Sequence, residues 1–339
     1  MKNSALPPIA TTTVGSFPRP GWLAERNRGS VAFHLEGNQL QEAQDDATII
    51  SLHEQEQAGL DLLTDGEQHR SSFIDHILAS WDGIDLENRL PKTIRRGRGN
   101  PLLVPRIVDK VERRSSAVVS DLIFAKDHTS KPIKMAVPGP MTVVDTTYDE
   151  TYGDEEALAM DVAAALNLEL LDLQSAGCDV LQIDEPAMTR YHEKVASYGA
   201  SALDRCLEGV TIPTIVHLCY GYPLNQTLQH EYEYPELLDL LKDTRIGGFS
   251  MEFARSNYDS SVLRGWGDRL LMFGCVDPGD SHIDTVDEVV RRVRPALEHV
   301  DPTRLMLAPD CGLMTVSREL ARAKAGLLMD VAQQIRGSL

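Results

Sequence analysis

Only five of the 339 residues are cysteine, too few for a disulfide framework in a chain of this length. The expectation is therefore a reducing compartment, the cytoplasm, where a well-placed cysteine is free to bind a metal or to react. No uninterrupted apolar stretch reaches the ~18 residues of a membrane-spanning helix. The opening MKNSALPPIATTT has no long apolar run and does not read as a signal peptide. Basic residues are in deficit, 33 Lys and Arg against 51 Asp and Glu, for a net charge of −18. The one dense basic cluster, KTIRRGR from Lys92 to Arg98, reads as a solvated loop, so no nucleic-acid partner is expected. No Gly-x-Gly-x-x-Gly follows the first apolar run, which argues against a dinucleotide site. No repeat, low-complexity tract or Pro-rich linker divides the chain, so residues 1–339 are expected to form a single domain.

What is present is alternation. Short apolar runs with β-branched residues predict strands at Thr11–Phe17, Leu60–Glu67, Ile133–Gly139, Asp179–Glu185, Thr214–Tyr220, Ile246–Phe253, Leu270–Asp277 and Leu305–Cys311. Helical periodicity predicts helices at Leu40–Gly59, Asp154–Ala176, Tyr234–Asp243, Val286–His299 and Ser317–Arg336. Strands alternating with helices imply a parallel sheet, and eight of them imply an α/β fold of the (β/α)₈ TIM-barrel class. An open doubly wound sheet is the competing arrangement. Residues Ser71 to Ser130 do not fit the repeat and read as an insertion after strand 2, with a helix-like stretch at Val108–Lys126.

In such a barrel the chemistry sits at the C-terminal ends of the strands. Here those ends carry Ser16, Glu67, Asp184 and Glu185, His217 and Cys219, Glu252, Asp277, and Asp310 and Cys311. Packing alone does not need ionisable groups at nearly every rim position. In His217-x-Cys219 the two side chains share one face of a strand. A lone His-x-Cys is weak, because buried Cys and satisfied core His are common. With Glu252 and Cys311 at matching strand ends it becomes a nitrogen, two-sulfur, one-oxygen set suited to a tetrahedral Zn²⁺. Cys178, Cys206 and Cys275 read as plain apolar residues. A sphere with two thiolates and a carboxylate makes zinc a poor generator of hydroxide. It still ionises a substrate thiol and leaves it nucleophilic, which points to alkyl transfer to sulfur. Glu67 and Asp184 read either as caps and ion pairs or as a seat for an ammonium group, with Ser16 beside them.

Several separated motifs then agree with one family. TTTVGSFPRP at Thr11, DGEQHR at Asp65, PGPMT at Pro138, LQIDEPAM at Leu181, HLCYG at His217, SMEFARS at Ser250 and APDCGL at Ala308 span nearly the whole chain. Together they resemble the catalytic C-terminal barrel of cobalamin-independent methionine synthase, whose full-length members carry a further N-terminal barrel. The resemblance implies a (β/α)₈ barrel. It implies Zn²⁺ on His217, Cys219, Glu252 and Cys311, and homocysteine on Ser16, Glu67 and Asp184. Two departures stand out. The stretch Met141 to Tyr148 has no Trp where the family stacks one on its folate donor. Asp277 is followed by Pro278 and Gly279 rather than reaching a His two residues on, so His282 is the nearest candidate proton donor.

The expected activity is zinc-dependent transfer of a methyl group to the homocysteine thiol, from a folate, another small molecule or a methyl-corrinoid protein. Two alternatives remain. One joins coenzyme M or another thiol to an epoxide by the same zinc logic. The other is a zinc-binding relative without catalysis.

Overall fold

The computed structural model describes residues 6–25, 31–94, 101–220, 234–256, 258–279 and 281–339. Seven strands form one parallel sheet: β1 (Ala10–Thr11), β2 (Lys134–Pro138), β3 (Val180–Asp184), β4 (Thr214–Leu218), β5 (Gly248–Glu252), β6 (Leu270–Val276) and β7 (Leu305–Pro309). Their order in space is β1-β7-β6-β5-β4-β3-β2, a curled, TIM-barrel-like α/β sheet. Its two edges are β1 and β2. Between them run Leu62 and Leu63, held by single parallel bridges from Thr12 to Leu62 and from Leu63 to Ile133. The runs expected as long strands at Thr11–Phe17 and Leu60–Glu67 thus pair only briefly. Their remaining residues turn inward, where side chains such as Thr64 and Gln68 take up the backbone groups that a ladder would have used.

Side-chain alternation places the polar residues. Along β3, Leu181 and Ile183 face the large outer core while Val180 belongs to the small interior cluster with Ala10, Leu62, Ile215, Met272 and Met306. The period of two then turns Gln182 and Asp184 inward above Val180. The same logic in β4 turns Ile215, His217 and Cys219 inward, and in β5 it turns Ser250 and Glu252 inward, because Phe249 and Met251 pack outward. The lower interior is therefore apolar apart from Lys134, the register partner of Val180, and the upper interior is polar.

Four principal helices cover the outside: α1 (Gly37–Gln57), α2 (Glu155–Ser175), α3 (Val286–Val293) and α4 (Arg318–Arg336). Asp154 caps α2 by accepting from the amides of Glu156 and Ala157, and Ser317 caps α4 through the amide of Leu320. Thr285 and Glu288 form a capping box on α3. The expected helix Val286–His299 ends at Val293 and continues as a 3₁₀ turn, Arg294–Glu298, where Pro295 removes an amide donor. No helix among the described residues is long and apolar enough to cross a membrane.

The segment 71–130 is not helical where expected. Val108 to Arg113 belongs to a strand, Leu102–Arg113, paired antiparallel with Trp81–Lys92, and helix begins only at Val119. Ile107 and Val111 are both buried four residues apart, a spacing that mimics a helical turn. Lys92 is not solvated as expected. It ends its strand and donates from Nζ to the carbonyls of Val144 (2.8 Å) and Thr147 (2.7 Å), at the C-terminal end of a short helix. Arg95, Arg96 and Arg98 lie outside the described residues.

Candidate functional site

His217, Cys219 and Cys311 come together at the top of the interior, their ligand atoms all within 4.8 Å of one another. The Cys219 and Cys311 sulfurs are 3.7 Å apart. Two sulfurs about 2.3 Å from a tetrahedral zinc stand about 3.8 Å apart, so the pair has a zinc-compatible spacing. His217 Nδ1 contacts Ser250 Oγ at 2.9 Å, which leaves Nε2 as the ring's other ligand atom. That Nε2 is buried and makes no well-formed hydrogen bond to a described residue, while burial pulls the imidazole pKa down and the neighbouring Cys219 more than restores it. A buried polar atom without a partner is costly, and a metal bond is one way to satisfy it.

Glu252 stands beside this trio rather than within it. Its Oε1 accepts from the amide of Tyr220 at 2.9 Å. Burial first, then the neighbouring Cys219 and Asp310, pushes its carboxyl well above the usual range. The Cys311 thiol is likewise held up, first by its hydrogen bond with Cys219 and then by burial. A group of acids pressed together in this way favours a cation in their midst.

Two buried residues hold the strand ends in place. The Tyr234 hydroxyl donates to the Leu218 carbonyl (3.1 Å) and accepts from the Glu252 amide (2.9 Å), so one phenol ties β4 to β5. Asp310 accepts from the amides of Phe253 (3.1 Å), Ala254 (3.0 Å) and Arg255 (2.8 Å), fixing the turn that follows Glu252. Glu185 does similar work opposite, accepting from the amides of Met141 (2.9 Å) and Thr142 (3.0 Å) at the start of the short helix Pro140–Thr146. Asp310 and Glu185 thus act on the framework.

Ser16, Glu67 and Asp184 lie on the other side of the same opening. Gly312 passes so close to Ser16 that a Cβ there would stand 2.0 Å from the serine Oγ. A Cβ on Gly15 would stand 2.5 Å from Glu67 Oε1. Glu67 itself has φ of +58°, a left-handed conformation unusual for a non-glycine residue. The turn is held from several sides. The Glu67 amide donates to Asp65 Oδ1 (3.1 Å), and Arg19 Nη2 donates to the carbonyls of Glu67 (2.5 Å) and Arg70 (2.7 Å). Arg70 Nη1 is 3.8 Å from Glu67 Oε1. Burial raises the Glu67 carboxyl and Arg70 draws it back. Asp184 is the register partner of His217, which joins this side to that of His217, Cys219 and Cys311.

Asp277 accepts from the Gly279 amide at 2.8 Å. His282 is mostly exposed and groups with Asp284 and Glu288, apart from His217, Cys219 and Cys311. Lys324 Nζ donates to the carbonyls of Asp277 (2.5 Å) and His282 (3.1 Å) and clasps this loop. Cys178, Cys206 and Cys275 are buried, and burial raises all three thiols, as apolar packing residues require. Sequence patterning does not single out Ser250, Tyr234 or Arg70 as site residues. Ser250 sits two residues before Glu252 on one strand face, a signal of the same kind as His217-x-Cys219. Tyr234 carried no such signal.

The chain matches the family described as "Cobalamin-independent synthase, Catalytic domain" over residues 9–334. It is 31% identical over 337 residues to the methionine synthase of Pyrococcus abyssi, covering 98% of this chain and 95% of that one. It is 32% identical to the methionine synthase of Sulfurisphaera tokodaii, covering 94% and 90%. A B12-independent methionine synthase from Shewanella sp. W3-18-1, solved in complex with selenomethionine, superposes with a TM-score of 0.92 at 35% identity over 98% of this chain and 99% of that one.

Proposed function

The chain belongs to the cobalamin-independent methionine synthase family, and from that premise we propose that it methylates the thiol of homocysteine on a zinc ion held by His217, Cys219, Glu252 and Cys311. The observation that supports this reading is the buried Nε2 of His217, without a well-formed hydrogen bond to any described residue, beside two sulfurs at zinc-compatible spacing. The ion, when bound, supplies the positive charge that ionises an incoming thiol at neutral pH. Ser250 fixes the imidazole through Nδ1 so that Nε2 points to the ligand position. Glu252, outside the tight trio, is the ligand best placed to yield to a substrate sulfur. Glu67 and Asp184 bind the substrate ammonium, and Ser16 contributes its hydroxyl. Asp277 and His282 are the candidate proton-handling pair on the neighbouring loop.

We also read the barrel as closed, with Leu62 and Leu63 in the second strand position. On that reading 71–130 is an insertion after strand 2, and 1–339 is one domain. The methyl donor is a folate, another small methyl carrier or a methyl-corrinoid protein. The test is a screen of the zinc-loaded protein with homocysteine and each donor class, followed by methionine formation. Turnover with at least one donor is expected. Activity only with a sulfonate thiol and an epoxide would replace this reading by the thiol–epoxide alternative, and no turnover and no thiol ionisation by the non-catalytic one.

A further inference from the structure

Beneath the proposed ammonium seat lies a buried polar chain of side chains. Lys134 is fully buried in β2, in a run where every residue is buried. Met135 and Val137 pack into the outer core, so the lysine points into the barrel. Its Nζ donates to the Val14 carbonyl at 2.6 Å and to Gln182 Oε1. Gln182 is also fully buried, and its Nε2 donates to Asp184 Oδ1 at 2.7 Å. Asp184 Oδ2 makes no hydrogen bond to a described residue.

The direction of this chain is forced. An ammonium can only donate, so it takes the amide oxygen, and the amide NH₂ must then face the carboxylate. With an apolar residue at 134 nothing would decide which end of the Gln182 amide meets Asp184. Burying an ammonium is expensive, and a methionine would fill similar space without that cost. Burial pulls the Lys134 pKa down to about 8, with Asp184 and Glu67 opposing the fall.

We infer that Lys134 and Gln182 are positioning residues that lock Asp184 with Oδ1 engaged and Oδ2 presented to the ammonium group of an amino-acid thiol. This rests on the reading of Asp184 as part of an ammonium seat. The relay makes the site selective for an α-amino thiol over the same thiol without the amine. Neither residue touches the substrate in this scheme.

The test uses the full-length zinc-loaded protein and two ligands, homocysteine and 4-mercaptobutyrate, which differ only by the amino group. Affinities are measured by calorimetry for the wild type, Lys134→Met and Gln182→Met, with zinc content recorded for each. The wild type is expected to prefer homocysteine. Each variant is expected to bind homocysteine about 10-fold more weakly, while 4-mercaptobutyrate stays within about 2-fold and zinc is retained. If Lys134→Met does not fold, the nearly isosteric Gln182→Met carries the test. Unchanged homocysteine affinity, or equal weakening of both ligands, overturns the relay while leaving the seat intact. A wild type indifferent to the amine overturns the seat and the relay with it.

Discussion

The two sides of the barrel mouth differ in where their positive charge comes from. On the side of β4 to β7, Glu252 forms no salt bridge with a described lysine or arginine, and its main perturbers after burial are Cys219 and Asp310. On the side of Ser16, Glu67 and Asp184, cations are built in. Arg70 stands 3.8 Å from Glu67, and Lys134 reaches Asp184 through Gln182. The first side crowds acidic groups with no built-in cation among the described residues, and the second holds its carboxylates in one geometry with Arg70 and Lys134 nearby. On the proposed function this contrast would separate metal binding from substrate recognition, so substitutions on one side should leave the other readout in place.

The largest effect is expected on the metal side. Cys311→Ala should abolish stoichiometric zinc, measured by elemental analysis, and lower thiol methylation by at least about 10³-fold. Full retention of zinc and activity would break the assignment. On the seat side, Asp184→Asn should keep zinc and weaken homocysteine about 30- to 100-fold by calorimetry, because it removes one of the two carboxylates that face the bound ammonium.

The third expectation concerns pH. Burial first, and Arg70 next, lowers His76 from 6.5 to about 4. On acidification the unfolded chain takes up this proton first, so stability present above pH 6.5 is lost as pH falls toward 4. Asp121, raised to about 6 by burial, acts in the opposite direction and offsets part of the loss. Against the wild type, His76→Gln should remove about 2 kcal/mol of acid destabilisation between pH 6.5 and 4, read from denaturant midpoints. The smallest effect is expected for Ser250→Ala, which frees His217 Nδ1. Zinc affinity should fall about 10-fold in a chelator competition, with the ratio of homocysteine to 4-mercaptobutyrate affinity unchanged. A change in that ratio would show the two sides to be coupled.

Much of this was legible before the structure. Alternation along Thr214–Tyr220 and Ile246–Phe253 turned His217, Cys219 and Glu252 to one face, and their packing follows that period. Ser317 and Asp154 marked helix starts through their capping oxygens. The hairpin strand Leu102–Arg113 was hidden because its buried residues Ile107 and Val111 fall four apart, a spacing shared with helices. The second strand position was overextended because the apolar run at Leu60 says nothing about where the backbone leaves the ladder. Lys134 was visible as a lone charge in IKMAVPG, yet its meaning depends on Gln182, which reaches it only across a strand pair. Likewise the strain at Glu67 comes from Arg19, Asp65 and Phe17 closing around the turn, contacts that no local pattern encodes.

The central claim is that the metal side takes a substrate sulfur as a ligand. X-ray absorption at the zinc edge, with and without homocysteine, reads this directly. The account predicts two sulfur ligands, from Cys219 and Cys311, rising to three when homocysteine is added, with an oxygen neighbour lost as Glu252 yields. A sphere that keeps two sulfurs and its oxygen in saturating homocysteine would contradict it.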